Sequence, residues 1–253
     1  MAGRFHVAVL AAGVGSRLSA ATDGGPKWLA RVGDERLADV QLDAFERIGP
    51  SDVLVVTGHA RDAVARHLDE RPGRRPTLLR NDAYATWNNW FSALLALRHA
   101  EEHLAGETTV LVNSDLWGSV DWLGESATAV VEAGGAALAV DLLRPLTDEA
   151  MKVACDATGR VLRIGKVGVD DPSGEYVGIL AVDPDARRRY VAELAAFEDD
   201  PARADAWYED AIETSISSSM AWTATPVPDS SWVEIDTPED LEAARALAGG
   251  WHG

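Results

Sequence analysis

Gly13 and Gly15, then Arg17, then a lysine directly after a proline (Pro26-Lys27), form the first group of residues in this chain whose types suit chemistry. Glycines let backbone N–H groups approach phosphate oxygens closely, and an arginine with a lysine neutralises the charge of a triphosphate. Two familiar phosphate turns are excluded by the spacing. Gly13 and Gly15 are followed by Arg17 and Leu18 rather than by a third glycine, so the dinucleotide fingerprint is absent, and no Gly-Lys-Ser/Thr opens a helix as in a P-loop. What remains suits a nucleoside triphosphate whose leaving group is pyrophosphate, with Leu10, Ala11, Ala12, Gly13, Gly15 and Ser16 as the candidate nucleotide-binding loop. A plain turn with two solvated cations is the competing explanation for so short a pattern.

Two carboxylates form the second group. Asp115 follows the apolar run VLVNS, and Asp236 follows WVEI. Carboxylates from two distant strands suit one magnesium ion held together with phosphate oxygens, because that ion takes hard oxygen ligands. Asp236 before Thr-Pro-Glu-Asp is also good helix-capping chemistry, and Asp115 could simply end a strand. A third group is basic: Lys152 and Lys166 flank the turn CDATGR and are expected to project from its two strands into one cleft, where an acceptor phosphate needs local positive charge. Solvated surface lysines are the alternative there.

Around these lie groups that could read a substrate. Asn88, Asn89 and Ser92 open a long apolar segment and offer amides and a hydroxyl to a base or ribose, or merely a helix cap. Trp87, Trp90 and Trp117 sit beside the two motifs expected to face the cleft; aromatic faces attract an ammonium by about 0.5 to 2 kcal/mol, although most tryptophans are packing residues. Glu209 and Asp210 in WYEDAI are candidates for an acceptor ammonium, or helix-start charges facing water. The six histidines (positions 6, 59, 67, 99, 103 and 252) show no metal spacing and receive no catalytic role.

The elements that must position these residues alternate. FHVAVLAA, SDVLVVTG, RPTLLRN and TTVLVNSDLW read as buried strands, the last running straight into its acidic end. RLADVQLDAFERIG, RDAVARHLDE and WNNWFSALLALRHAEEHL read as helices between them. That alternation predicts an α/β fold with a mostly parallel central sheet flanked by helices. From about 136 to 182 the pattern changes to strands joined by turns, as in a small antiparallel insertion, and no linker or repeat splits residues 1–253, so a single domain is expected. The 253 residues carry 23 Lys+Arg against 41 Asp+Glu, a net charge of −18. That charge excludes wrapping a nucleic-acid backbone or lying on an anionic membrane. Cys155 is the single cysteine, so there is no disulfide framework. The N-terminus lacks the apolar region of a signal peptide and no spanning apolar stretch occurs, which gives a cytoplasmic expectation. A homodimer is compatible with the chain.

The full string LAAGVGSRL followed by PKWL resembles the signature LAAGxGxRL…PKxL of the nucleotidyltransferase superfamily. NDAYATWNNWFSALLAL, VNSDLW, MKVACDATGRVLRIGK, GEYVGIL, WYEDAI and WVEIDTPEDLEAA follow in the order of its cytidylyltransferase branch acting on phosphocholine and 2-aminoethylphosphonate. The resemblance covers essentially the whole chain. It implies a Rossmann-like nucleotidyltransferase domain, CTP as donor and Mg²⁺ as the working ion. It also implies metal ligation by Asp115 and Asp236 and catalytic charges at Arg17, Lys27, Lys152 and Lys166, while Trp87, Trp117, Glu209 and Asp210 stand as acceptor-binding candidates on their residue types alone, the Trp-rich flanks departing from the relatives. Many relatives carry a glycine before the strand-end aspartate, where this chain has Ser114. The implied reaction is in-line attack of an acceptor phosphate or phosphonate oxygen on the α-phosphorus of CTP, which needs no general base because that oxygen is ionised at neutral pH. A sugar-1-phosphate nucleotidyltransferase and a non-catalytic nucleotide-binding regulator are the alternatives; a glycosyltransferase would carry an Asp-x-Asp pair where NSDLW has one acid.

Overall fold

The structure, a computed structural model, describes residues 3–18, 22 and 24–251, with only the backbone of Gly250 and Trp251. His252, given no role above, lies outside the described residues. The amino-terminal half runs β1 (Phe5–Ala11), β2 (Arg31–Val32), β3 (Glu35–Arg36), α1 (Leu37–Ile48), β4 (Val53–Thr57), α2 (Arg61–Glu70), β5 (Thr77–Arg80), α3 (Asn89–His103), β6 (Thr108–Asn113), β7 (Leu116–Gly118) and α4 (Val120–Ala133). It continues with β8 (Ala136–Asp141), β9 (Lys152–Cys155), β10 (Val161–Gly165), β11 (Gly174–Val182), α5 (Pro184–Ala195), α6 (Tyr208–Ser217), β12 (Thr223–Pro226), β13 (Trp232–Glu234) and α7 (Pro238–Trp251).

β1 sits near the middle of a nine-stranded sheet ordered β10-β9-β11-β6-β1-β4-β5, with β8 alongside β11 and β12 alongside β8. It pairs in parallel with both neighbours, Val9 lying opposite Val55 of β4 and Val112 of β6. Successive side chains of a strand point to opposite faces. Val7, Val9 and Ala11 therefore enter one core with α1, α4 and α7, and Ala8 and Leu10 enter a second core with α3, α5 and α6. Burial on both faces is why β1 reads as an unbroken apolar run instead of an alternating one.

Local chemistry sets several helix ends. Ser119 caps α4 by accepting from Trp122 N–H at 3.0 Å. Asp183 caps α5 with Pro184 in its first turn, and Gly49 ends α1 in the left-handed conformation at φ 67. Such caps contribute about 1 kcal/mol each.

The antiparallel strands expected over 136–182 are present, and β8 and β11 are members of the central sheet, β11 pairing directly with β6. One expectation fails. TTVLVNSDLW is two strands, because β6 ends at Asn113 and β7 leaves the sheet to pair antiparallel with β13, Glu234 opposite Leu116 and Trp232 opposite Gly118. Buried Gln41 of α1 fixes the break: its Nε2 donates to the carbonyls of both Asn113 (3.0 Å) and Leu116 (2.9 Å). The β7–β13 ribbon is anchored from behind. Trp232 Nε1 donates to buried Asp141 at 2.8 Å, and the Arg144 guanidinium lies 4.3 Å over the Trp232 ring while donating to the carbonyls of Ser230 and Trp232.

Candidate active site

A cleft of about 370 Å³ opens at the carboxyl ends of β1 and β6, where ligands sit in open parallel sheets. One wall is the loop after β1, with Leu10 to Gly13, Gly15, Ser16 and Arg17, together with Lys27. Gly15 takes φ 60, and a Cβ there would stand 2.9 Å from the Cβ of Lys27, so the lysine's approach requires glycine at this position. Val14 and Gly13 are exposed at the loop tip.

Facing this wall are three acids delivered by the ribbon. Asp115 immediately precedes β7, Glu234 ends β13, and Asp236 follows two residues later; Ile235 N–H donates to the Asp115 carbonyl at 2.9 Å and holds the two chain segments in register. Asp115, Glu234 and Asp236 each offer an oxygen within 4.8 Å of the others. Glu234 was not singled out in the sequence. Its signal was there: in W-V-E-I-D the two acids are two apart in an extended segment, and alternate residues share a side.

Lys27 reaches across to this cluster. Its Nζ donates to Asp115 Oδ2 at 2.7 Å and to Asp236 Oδ1 at 2.6 Å, and Arg17 donates to Asp236 Oδ2 at 2.7 Å. Burial by itself would lower the Lys27 pKa, yet the charges and hydrogen bonds of Asp115 and Asp236 outweigh it and hold the ammonium above its ordinary value. For Asp236 burial works upward and is likewise outweighed, first by Lys27 and then by Arg17, so its carboxylate stays below the usual range. Glu234 behaves oppositely. The protein crowded around its carboxyl, then the charges of Asp115 and Asp236, push it up to about 8 against the opposing charge of Lys27, although the residue as a whole is exposed and solvent screens these charges. The donor set fits a hard divalent cation: three carboxylates converge, and Asp115 Oδ1 is buried with no hydrogen-bond partner among the described residues.

The far end of the cleft is built differently. Lys166 lines it, its Nζ 3.2 Å from Glu149 and 4.9 Å from the Trp207 ring centre. Lys152 does not line it. Its ammonium donates to the carbonyls of Asp148, Ala150 and Lys166, the last at 2.9 Å, which ties the start of β9 to the end of the hairpin. Trp87 lines the cleft with its ring packed edge-on against Phe91, whereas Trp90 and Trp117 are buried in the two cores. Glu209 lines the cleft and is nearly buried; burial, reinforced by the charges of Asp210 and Asp115, outweighs the local hydrogen bonding that opposes it and lifts it to about 7. Asp210 instead accepts from the Trp207 N–H at 2.7 Å and caps α6.

Between the two ends run the amides. Asn88 lines the cleft and caps α3, accepting from Asn89 N–H while its Nδ2 donates to the Asp205 carbonyl. Ser92 accepts from Asn81 Nδ2 at 2.9 Å. A buried chain, Tyr176 to Tyr208 to Asn113, closes the floor with bonds of 3.0 and 2.9 Å. Asn81, Asn113, Tyr176 and Trp207 fall inside the quoted motifs but were not singled out within them, and Glu149 lies outside them; their place in the fold brings all five to the cleft. Among the described residues no helix is long and apolar enough to cross a membrane.

Comparison with known proteins adds a family. Residues 7–209 match the model of the MobA-like NTP transferase domain. The choline-phosphate cytidylyltransferase of Streptococcus pneumoniae is 34% identical over 87 residues, 34% of this chain and 37% of that protein. The CMP-5'-(3-aminopropyl)phosphonate synthase of Streptomyces rubellomurinus is 28% identical over 244 residues, covering 93% of this chain and 37% of that protein. The matched stretches thus span little more than a third of either relative. The solved structure of the Streptococcus pneumoniae CTP:phosphocholine cytidylyltransferase superposes with a TM-score of 0.79 over 97% of this chain and 99% of that one, at 18% identity, a likeness of fold.

Proposed function

The chain belongs to the MobA-like NTP transferase domain family, and from that premise we propose that it transfers CMP from CTP to a small acceptor bearing a phosphate or phosphonate, releasing pyrophosphate. The observation that carries this reading is the pairing across one cleft of a glycine loop and an acid triad, with Lys27 and Arg17 between them. The choice of CTP, and of phosphocholine or an aminoalkylphosphonate as acceptor, draws on the activities named for the two relatives.

In this reading the triphosphate lies along the loop from Leu10 to Ser16, its charge met by loop amides, Arg17 and Lys27. Asp115, Glu234 and Asp236 would hold Mg²⁺, which when bound supplies charge neutralisation at the reacting phosphate. Lys166 holds the acceptor's anionic head in line with the α-phosphorus. A bond forms from acceptor oxygen to that phosphorus as the bond to pyrophosphate breaks; the attacking oxygen is already ionised, so catalysis is positioning and charge compensation. Trp87 and Trp207 offer aromatic faces, and Glu149 and Glu209 offer carboxylates, to an ammonium at the acceptor's other end. Lys152 contributes by holding the Lys166 backbone.

The test is a pyrophosphate-release screen of four nucleoside triphosphates against phosphocholine, 2-aminoethylphosphonate, an amine-free phosphonate and glucose 1-phosphate. Turnover with CTP and an amine-bearing acceptor is the expected result. Preference for glucose 1-phosphate with UTP or dTTP would replace the reading with a sugar-nucleotide synthase, and no turnover with any pair would favour a binding protein.

A further inference from the structure

Lys27 stands where a cation would. Its Nζ bridges Asp115 Oδ2 at 2.7 Å and Asp236 Oδ1 at 2.6 Å, and the three side chains are largely shielded from solvent, with 13%, 18% and 29% of their area exposed. Arg17 occupies the other oxygen of Asp236. A magnesium-class ion sits about 2.0–2.1 Å from its carboxylate oxygens, so an ion bridging this same pair of oxygens would overlap the volume Nζ fills. Coulomb repulsion between two cations at that range adds to the exclusion. A lysine displaced from the acids needs another anion, and the facing wall is the glycine loop, against which Gly15 lets the Lys27 stem lie.

We propose that Lys27 and the divalent cation are alternative occupants of the Asp115–Asp236 pair, and that the triphosphate is what takes over the lysine when the cation enters. Only the second half rests on the reading of the cleft as a CTP site; the exchange of lysine for cation needs no nucleotide. The lysine thereby balances the acids in the absence of ligands and makes cation and nucleotide bind each other's complex more tightly than the free protein. Such coupling is reciprocal by thermodynamic linkage.

The experiment titrates Mn²⁺ into the whole protein without nucleotide, reading free ion by electron paramagnetic resonance. Lys27→Met is expected to bind Mn²⁺ at least tenfold more tightly than wild type while losing turnover; affinity that is unchanged or weaker overturns the exchange. Should Lys27→Met fail to fold, wild type answers alone. Acetylation of Lys27 by acetic anhydride, read by peptide mass spectrometry, is expected to rise at least threefold on saturation with Mn²⁺, and an unchanged rate overturns the exchange. A final titration adds a CTP analogue with a methylene bridge between its α- and β-phosphates. Wild-type Mn²⁺ affinity is expected to rise tenfold or more, and that of Lys27→Met less than threefold. If the nucleotide-free results hold while the analogue leaves wild-type affinity unchanged, the exchange is upheld, and the transfer of Lys27 to the triphosphate is overturned together with the CTP reading.

Discussion

The two ends of the cleft hold their charges in contrasting ways. At the loop end, Lys27, Asp115 and Asp236 are shielded and bonded at 2.6 to 2.7 Å, and the two acids are carried by a ribbon that is itself clamped to the sheet through Trp232. At the far end, Lys166 meets a Glu149 side chain that is 87% exposed, at 3.2 Å, beside Trp207, itself exposed over 36% of its surface. Exposed pairs contribute about 0 to 1 kcal/mol and reorient readily; enclosed, hydrogen-bonded charges keep one geometry and act more strongly on a ligand. The difference teaches that, in the proposed reading, the end assigned to the triphosphate holds its charges in one defined arrangement before ligands arrive, while the end assigned to the acceptor is adaptable.

That contrast predicts a graded set of effects. The largest is expected at the acids: Asp115→Asn and Asp236→Asn should each lower kcat by about a thousandfold or more, since a metal site supplies several kcal/mol of transition-state stabilisation. Steady-state rates across a Mg²⁺ titration check this, and near-normal turnover in both would place the chemistry elsewhere. Next comes the division between lysines. Lys27→Ala should reduce kcat/KM for CTP by about a hundredfold, and Lys166→Ala should reduce that for the acceptor by about tenfold, in proportion to how firmly each charge is held. If Lys166→Ala raised only the KM for CTP, the two ends would not be separate.

A pH profile sharpens the comparison further. Glu209 is held at about 7, so it is protonated below that pH and its carboxylate is lost as pH falls. The kcat/KM for 2-aminoethylphosphonate should therefore fall between pH 8 and pH 6 by more than that for an amine-free phosphonate, and Glu209→Gln should abolish the excess. Identical profiles for both acceptors would remove Glu209 from ammonium recognition. The smallest effect is expected at Trp207→Ala, a rise of about 2- to 30-fold in the KM for an amine-bearing acceptor, the range that a cation–π contact of about 0.5 to 2 kcal/mol allows. An equal rise for the amine-free compound would make Trp207 a packing residue.

Much of this was readable along the chain. That β1, β4 and β6 run parallel followed from apolar runs alternating with helical periodicity, and the loop with Gly13, Gly15, Arg17 and Lys27 was visible because its residues are local in sequence. Asp115 and Asp236 each stood out at the end of an apolar segment. What one dimension could not supply was direction. Lys152 and Lys166 looked equivalent across one turn, yet their backbones place one ammonium among carbonyls and the other in the cleft. Trp117 adjoins the acidic strand end and still points into the core, because β7 turns away to pair with β13. Sequence determined which residues carry charge and which runs fold into strands and helices, since those depend on composition and short periods. Tertiary structure alone decided that Glu234 and Asp236 meet Asp115, because the register between two strands far apart in the chain sets where those side chains lie, and that Lys27 reaches them from the opposite wall.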